Sequence, residues 1–133
     1  MSSFLVMGAG KMGIVLAKDL IEADAQNTVT LVDINSKQLK KAENFIRSDR
    51  LTPLQRDMEN TKQREGMFTG HDIALSALLH KHSFMALETA VRKGVHLVDL
   101  VGEKPLERLG YDEEAKKKGI TLISGLGVSP GIT

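Results

Sequence analysis

The chain has 133 residues, a formal net charge of +1 and no cysteine. Its 41% hydrophobic and 26% charged residues are typical of a folded globular domain rather than a disordered segment. The near-zero net charge argues against nucleic acid or an anionic membrane surface as a partner, and the lack of cysteine excludes disulfides and thiolate metal sites. No apolar run approaches the length of a membrane span. We therefore expect a cytoplasmic protein with no metal site.

The first motif is a glycine-rich turn between an apolar run and a helical pattern. The run 4–6 predicts a strand, and a G-x-G-x-x-G turn follows it before a helix over 11–22. Gly8 can adopt the backbone angles of a tight turn, Gly10 has no Cβ to block a pyrophosphate, and Gly13 allows the helix to pack closely on the strand. The N–H groups of the turn and of the helix N-terminus then form an anion site.

A second strand pattern over 28–33 is rich in β-branched residues and ends on a carboxylate, Asp33. In a dinucleotide-binding unit, an acidic residue at this place accepts hydrogen bonds from the adenosine ribose and repels a 2′-phosphate. We therefore predict NAD as the cofactor. Ser36 and Lys37 follow closely and leave NADP as the alternative, and a turn or helix cap is the purely structural interpretation of Asp33.

The rest of the chain alternates helices and strands, as repeated βα units do. The patterns predict helices over 37–45, 61–68 and 83–93 and one that ends at Gly119, and strands over 54–57, 72–79, 95–100 and 120–124. Ser36 is expected to cap the second helix. Four apolar residues recur at helical spacing and predict the buried face of the first helix. These residues are Met12, Val15, Leu16 and Leu20.

This alternation predicts an α/β fold, a Rossmann doubly wound parallel sheet of six strands in the order 3-2-1-4-5-6. Because the strand order reverses between the first and fourth strands, a dinucleotide should cross the carboxyl edge there, with its adenosine over the second and third strands. The residues predicted to contact it are Gly8, Gly10, Lys11, Met12, Gly13, Asp33, Ile34, Asp57, Ser76, Ala77 and Leu78.

Several segments together resemble the saccharopine dehydrogenase-like family. They are the turn 8–13, the segments 29–33, 70–78 and 94–100, and above all 125–131, which has the form G-x-G-V-x-P-G. Within this family the chain looks most like the lysine 6-dehydrogenase group. The resemblance implies an NAD-dependent oxidoreductase that deaminates an amino-acid side chain. It also implies that residues 1–133 are the cofactor-binding part of a longer, homodimeric two-domain enzyme with a small amino-acid substrate.

For such an enzyme we expect Asp99, at the end of the fifth strand, to hold the cationic amine, with a loop cap as the structural alternative. His80 and His82 follow the fourth strand, and His80 is a candidate proton relay. Two other functions stay open at this point. One is a saccharopine or carboxynorspermidine reductase that uses NADP, and the other is a non-enzymatic NAD-sensing regulatory domain.

Overall fold

The computed structural model describes residues 2–78, 80–100 and 110–124. They form one parallel sheet in the order β3-β2-β1-β4-β5-β6, with helices on both faces, as predicted. The strands are β1 (Ser3–Met7), β2 (Thr28–Asp33), β3 (Leu51–Gln55), β4 (Ile73–Ser76), β5 (His96–Asp99) and β6 (Leu122–Ser124). The helices are α1 (Lys11–Ala23), α2 (Ser36–Ile46), α3 (Thr61–Met67), α4 (His80–Lys93) and α5 (Asp112–Lys118).

The two faces of the sheet bury separate apolar clusters, because successive residues of a strand point to opposite sides. In β1, Leu5 and Met7 belong to the cluster that includes Leu87 and Val91 of α4. Val6 belongs to the other cluster, with Ala17 of α1. A strand covered on both faces is the reason why the central segments read as continuous apolar runs.

The third strand lies earlier in the chain than predicted. It covers Leu51–Gln55 instead of 54–57, and Pro53 sits in its middle, paired with Leu31 of β2. The polar segment and its proline concealed it, but β3 is at the edge of the sheet, where a residue without an N–H is tolerated. As a result Asp57 does not end the strand and lies two residues beyond it.

The buried face of α1 also differs from the prediction. The buried residues are Gly13, Ala17 and Ile21, whereas Met12 and Val15 are 43% and 51% exposed. Leu16 and Leu20 are partly buried and pack against the same cluster as Ala17 and Ile21, as predicted. The prediction was wrong for Met12 and Val15, because the close approach of the helix to the sheet buries Gly13 instead.

Smaller differences concern the ends of elements. Asn35, not Ser36, caps α2, since the Asn35 side chain accepts a hydrogen bond from the Lys37 N–H at 2.9 Å. The fourth strand ends at Ser76, earlier than predicted, and α4 already begins at His80. The segment 125–131 that contributed to the family resemblance lies outside the described residues. Among the described helices, none is long and apolar enough to cross a membrane.

Candidate functional site

The glycine turn is held between β1 and α1 by contacts that leave no room for side chains at two positions. Gly8 has φ +101°, and a Cβ on it would lie 2.9 Å from the Ala77 carbonyl oxygen. A Cβ on Gly13 would lie 1.6 Å from the Gly8 carbonyl oxygen. The N–H of Gly8 donates to the Val32 carbonyl at 2.8 Å. These two glycines are therefore required by the backbone itself.

Gly10 differs from these two glycines because a Cβ there would meet no atom of the described residues within 4 Å. It is exposed, and it precedes the first turn of α1. Among the described residues, no side chain caps the first N–H groups of α1, which begin at Lys11 and Met12. Open space in front of an uncapped 13-residue helix is a suitable place for an anion.

Asp33 lies at the end of β2 and is hydrogen-bonded to the glycine turn. Its Oδ2 accepts the Ala9 N–H at 2.7 Å, and its Oδ1 accepts the Asn35 N–H at 2.7 Å. Gln38 of α2 adds a second tie, since its Nε2 donates to the Ala9 carbonyl at 3.0 Å. A carboxylate has about four acceptor positions, so Asp33 retains capacity for further donors. Gln38 was not among the predicted site residues.

A crevice of about 240 Å³ opens beside Asp33 at the carboxyl edge of the sheet. It brings together residues that follow β1, β2, β3 and β4. Its lining consists of Met7, Gly8, Val32, Asp33, Ile34, Arg56, Asp57, Met58, Glu59, Leu78 and His82. Ile34 is 62% exposed, so this aliphatic side chain presents an apolar surface at the crevice without being part of the core.

The predicted site residues separate into three groups. Gly8, Asp33, Ile34, Asp57 and Leu78 line the crevice. The residues at the α1 N-terminus, Gly10, Lys11 and Met12, are exposed beside the turn. Gly13 is buried under the turn, Ser76 is fully buried at the end of β4, and Ala77 packs beneath Gly8.

Arg56, Met58 and Glu59 also line the crevice, and none of them was among the predicted site residues. Each follows β3, as Ile34 follows β2. Their position directly after a strand could have indicated a role at the site. The third strand was predicted over 54–57, however, and this placed Arg56 inside the strand. A strand placed over 51–55 would have indicated the loop that starts at Arg56.

Glu59 joins this loop to the first turn of α4. Its carboxylate accepts from the Lys81 Nζ at 3.1 Å and lies 3.2 Å from the His82 Nε2. Hydrogen bonds from Lys81 and His82 lower the pKa of Glu59 from its usual value. Of the two predicted histidines, His82 therefore reaches the crevice, whereas the side chain of His80 lies outside the described part.

Asp99 lies in a different environment from Asp33. It is fully buried at the end of β5, and its Oδ2 accepts the hydroxyl of Ser83 on α4 at 2.6 Å. This bond connects the fifth strand to the helix that covers it. The role of Asp99 toward an amine stays a prediction. Within the described residues, no three His, Asp or Glu side chains lie close enough to hold a metal ion.

Comparison with known families decides what kind of domain this is. The family described as the saccharopine dehydrogenase NADP binding domain matches residues 4–123. The chain belongs to this family. The prediction of family and fold is thereby confirmed, and the domain is of an oxidoreductase type.

Solved structures show the same fold at low sequence identity. Saccharopine dehydrogenase (L-Glu forming) from Saccharomyces cerevisiae matches with a TM-score of 0.83 and 18% identity, over 99% of this chain and 28% of that one. Biliverdin reductase from Synechocystis sp. PCC 6803 matches with a TM-score of 0.68 and 14% identity, over 92% and 37% of the two chains. Prephenate dehydrogenase from A. aeolicus matches with a TM-score of 0.60 and 17% identity, over 93% and 41%. The chain thus spans well under half of the length of each of these enzymes.

Proposed function

We propose that this chain is the cofactor-binding domain of an NAD-dependent oxidoreductase that acts on the CH–NH group of an amino acid, similar to lysine 6-dehydrogenase. One observation carries the dinucleotide part of this proposal. The open space at Gly10 faces the uncapped N-terminus of α1 and lies beside Asp33. Family membership supports the oxidoreductase part.

The described residues fit a dinucleotide. A pyrophosphate would lie over Gly10 and accept hydrogen bonds from the N–H groups of the first turn of α1. Asp33 would bind the adenosine ribose, since its carboxylate retains acceptor capacity. The adenine would enter the crevice, where Ile34, Met58 and Leu78 supply apolar surface. The nicotinamide of the same dinucleotide would then extend toward the ends of β4 and β5.

NAD is the cofactor we favour, because Asp33 places a negative charge where NADP carries its 2′-phosphate. A reductase that uses NADP is the second candidate, and the description of the family as an NADP binding domain favours it. The two candidates differ at the ribose end of the crevice and share the glycine turn.

When bound, the nicotinamide would supply a hydride acceptor. The protein would orient an amine-bearing carbon toward it and take a proton from the ammonium group beforehand. Asp99 and His80 are our proposals for holding the amine and relaying the proton. Amine-dependent reduction of NAD by the protein that carries this domain tests the substrate class, and a lack of amine dependence would contradict it.

The chain corresponds to 28% of the length of the yeast enzyme. We propose that a further domain completes the amino-acid pocket and that the assembled enzyme is a cytoplasmic homodimer. The part of the site that belongs to this chain is the cofactor side.

The cofactor proposal can be tested with Gly10→Val. The fold should tolerate the substitution, since Gly10 has φ −78° and ψ −170° and a Cβ there meets nothing within 4 Å. The side chain would fill the space of the pyrophosphate, so the affinity for NAD should fall by about a hundredfold or more, while the midpoint of unfolding changes little. Isothermal titration calorimetry measures the affinity. Unchanged affinity would mean that a dinucleotide binds elsewhere.

A further inference from the structure

The loop 56–60, between β3 and α3, forms one wall of the crevice, and its residues 56–59 are part of the lining. A connecting segment of this kind has no continuous ladder of backbone hydrogen bonds, so its position depends on contacts with side chains. One such contact comes from Arg64 of α3, which does not itself line the crevice.

Arg64 connects this loop to α4. Its Nη1 donates to the Met58 carbonyl oxygen at 2.5 Å, and its Nε donates to the Thr89 hydroxyl at 3.0 Å. Thr89 has no exposed surface, and its hydroxyl donates in turn to the Met85 carbonyl at 2.8 Å. Because both donors belong to one planar guanidinium, the Met58 carbonyl is held at a fixed place relative to α4.

Met58 is the residue through which this contact reaches the crevice. It is 7% exposed, belongs to the same apolar cluster as Leu87 and Val91 of α4, and also contributes to the crevice lining. A shift of its backbone would move its side chain and change the apolar surface that the crevice offers to a base. Arg64 therefore controls the shape of a wall from behind it.

The partners of Arg64 indicate a geometric role rather than an electrostatic one. In the part of the chain that the structure describes, no carboxylate lies within ion-pair distance of Arg64. Arg92, by contrast, pairs with Glu65 at 3.3 Å. A carbonyl and a hydroxyl carry no net charge, so Arg64 supplies them with two donors in a fixed relative orientation.

We propose that Arg64 is a positioning residue for the adenosine half of the dinucleotide, which it favours by holding Met58 in the crevice wall. This inference rests on the proposed dinucleotide site. It goes beyond that site by assigning part of the affinity to a residue that contacts no ligand. The affinity for the adenosine half depends on the two hydrogen bonds of Arg64, and the phosphate end at the glycine turn does not.

Titration of wild type and Arg64→Met with NAD, AMP and inorganic pyrophosphate tests this assignment, with NMR titration for the weaker ligands. We expect the affinities for NAD and AMP to fall by about tenfold, because the Met58 carbonyl loses its donor and the wall moves. The affinity for pyrophosphate should stay within about twofold, since it would bind at the glycine turn. Equal losses for all three ligands would indicate general damage to the fold and would overturn the positioning role.

Arg64→Lys separates geometry from charge, and it carries the test if Arg64→Met does not fold. The variant keeps the positive charge, but one ammonium group does not reproduce the planar pair of donors to Met58 and Thr89. We expect the affinities for NAD and AMP to fall by about fivefold. Affinities equal to those of wild type would mean that charge alone matters, and would contradict the positioning role.

Arg92→Met is the matched control. It removes an arginine of α4 whose partner is Glu65 and which does not line the crevice. All three affinities should equal those of wild type. A loss of AMP binding as large as in Arg64→Met would show that any arginine removed near this helix has the effect, and the assignment to Arg64 would be wrong.

Two further outcomes separate this inference from the proposed function. If NAD binds equally well to wild type and to Arg64→Met, the role of Arg64 is wrong and the dinucleotide site stands. If NAD does not bind to wild type, the proposed function fails, and the assignment of Arg64 fails with it.

Discussion

Asp33 and Asp99 occupy equivalent places in the chain, since each is the last residue of a parallel strand. Their environments are opposite. Asp33 is half-buried at the crevice and receives two backbone N–H groups, whereas Asp99 has no exposed surface and receives the Ser83 hydroxyl at 2.6 Å. A carboxylate after a strand can therefore serve a ligand or anchor a helix, and the strand pattern alone does not distinguish the two.

Topology explains this difference. The end of β2 lies between the ends of β1 and β3, and the residues that follow these strands line an open crevice. The end of β5 is covered by α4, which brings Ser83 onto Asp99. A buried carboxyl group needs such a hydrogen-bond partner, because water no longer solvates it.

The largest effect should come from Gly13→Ala, beneath the glycine turn that Asp33 holds. Its Cβ would lie 1.6 Å from the Gly8 carbonyl oxygen, so the turn and α1 would have to separate. We expect a loss of about 3 kcal/mol or more in the free energy of unfolding, together with the loss of NAD binding. Urea denaturation measures the first quantity.

Gly66→Ala on α3 is the control for this substitution, because a Cβ there meets nothing within 4 Å. It should be neutral, or stabilising by about 0.5 kcal/mol. Equal effects of the two variants would show that the close approach of α1 to the turn does not matter for stability.

The next largest effect should separate the two aspartates directly. Asp99→Ala removes the buried carboxylate that accepts from the Ser83 hydroxyl, so we expect a loss of about 2 kcal/mol in the free energy of unfolding and an NAD affinity within about twofold of wild type. Asp33→Ala should have the opposite effect: the NAD affinity should fall about tenfold, and the free energy of unfolding should fall less than in Asp99→Ala. Unchanged stability in Asp99→Ala would remove the structural explanation of its carboxylate and strengthen its proposed contact with the amine.

The smallest effect should come from the opposite edge of the sheet, away from both aspartates. Partial burial lowers the pKa of His71 below its usual value near 6.5, against a smaller raising effect of Asp72. Below that value the unfolded chain binds more protons than the folded one, so protonation of His71 reduces stability as the pH falls.

Unfolding measured at about pH 8 and about pH 5.5 checks this pH dependence. The loss of stability between the two pH values should be larger in wild type than in His71→Gln. NAD binding should be the same in both proteins, since His71 contacts Ser3 and is not part of the crevice. An identical pH dependence in the two proteins would contradict the assignment to His71.

Much of this fold was predictable from local signals. The three glycines of the turn, the strand that ends at Asp33 and the alternation of helices and strands together indicated the sheet order that the structure shows. Such features depend on backbone angles and on the period of apolar residues, which short stretches of chain encode.

The errors have a common physical origin in packing. Pro53 argued against a strand, and only its edge position made one possible. Met12 and Val15 matched an apolar helical face, but the close approach of α1 buried Gly13 and Ala17 instead. Each of these outcomes depends on a neighbour that is distant in the chain.

The sequence by itself determined the family, the Rossmann architecture and the glycine turn with Asp33, because these follow from local conformational requirements. Tertiary structure decided which carboxylate meets the crevice and which supports a helix. It also placed Arg56 beside the end of β2, through the register of the edge strand β3. The sequence pattern had predicted the start of this strand three residues too late. Burial and register arise only when distant segments pack together, and they determine which side chains are available to a ligand.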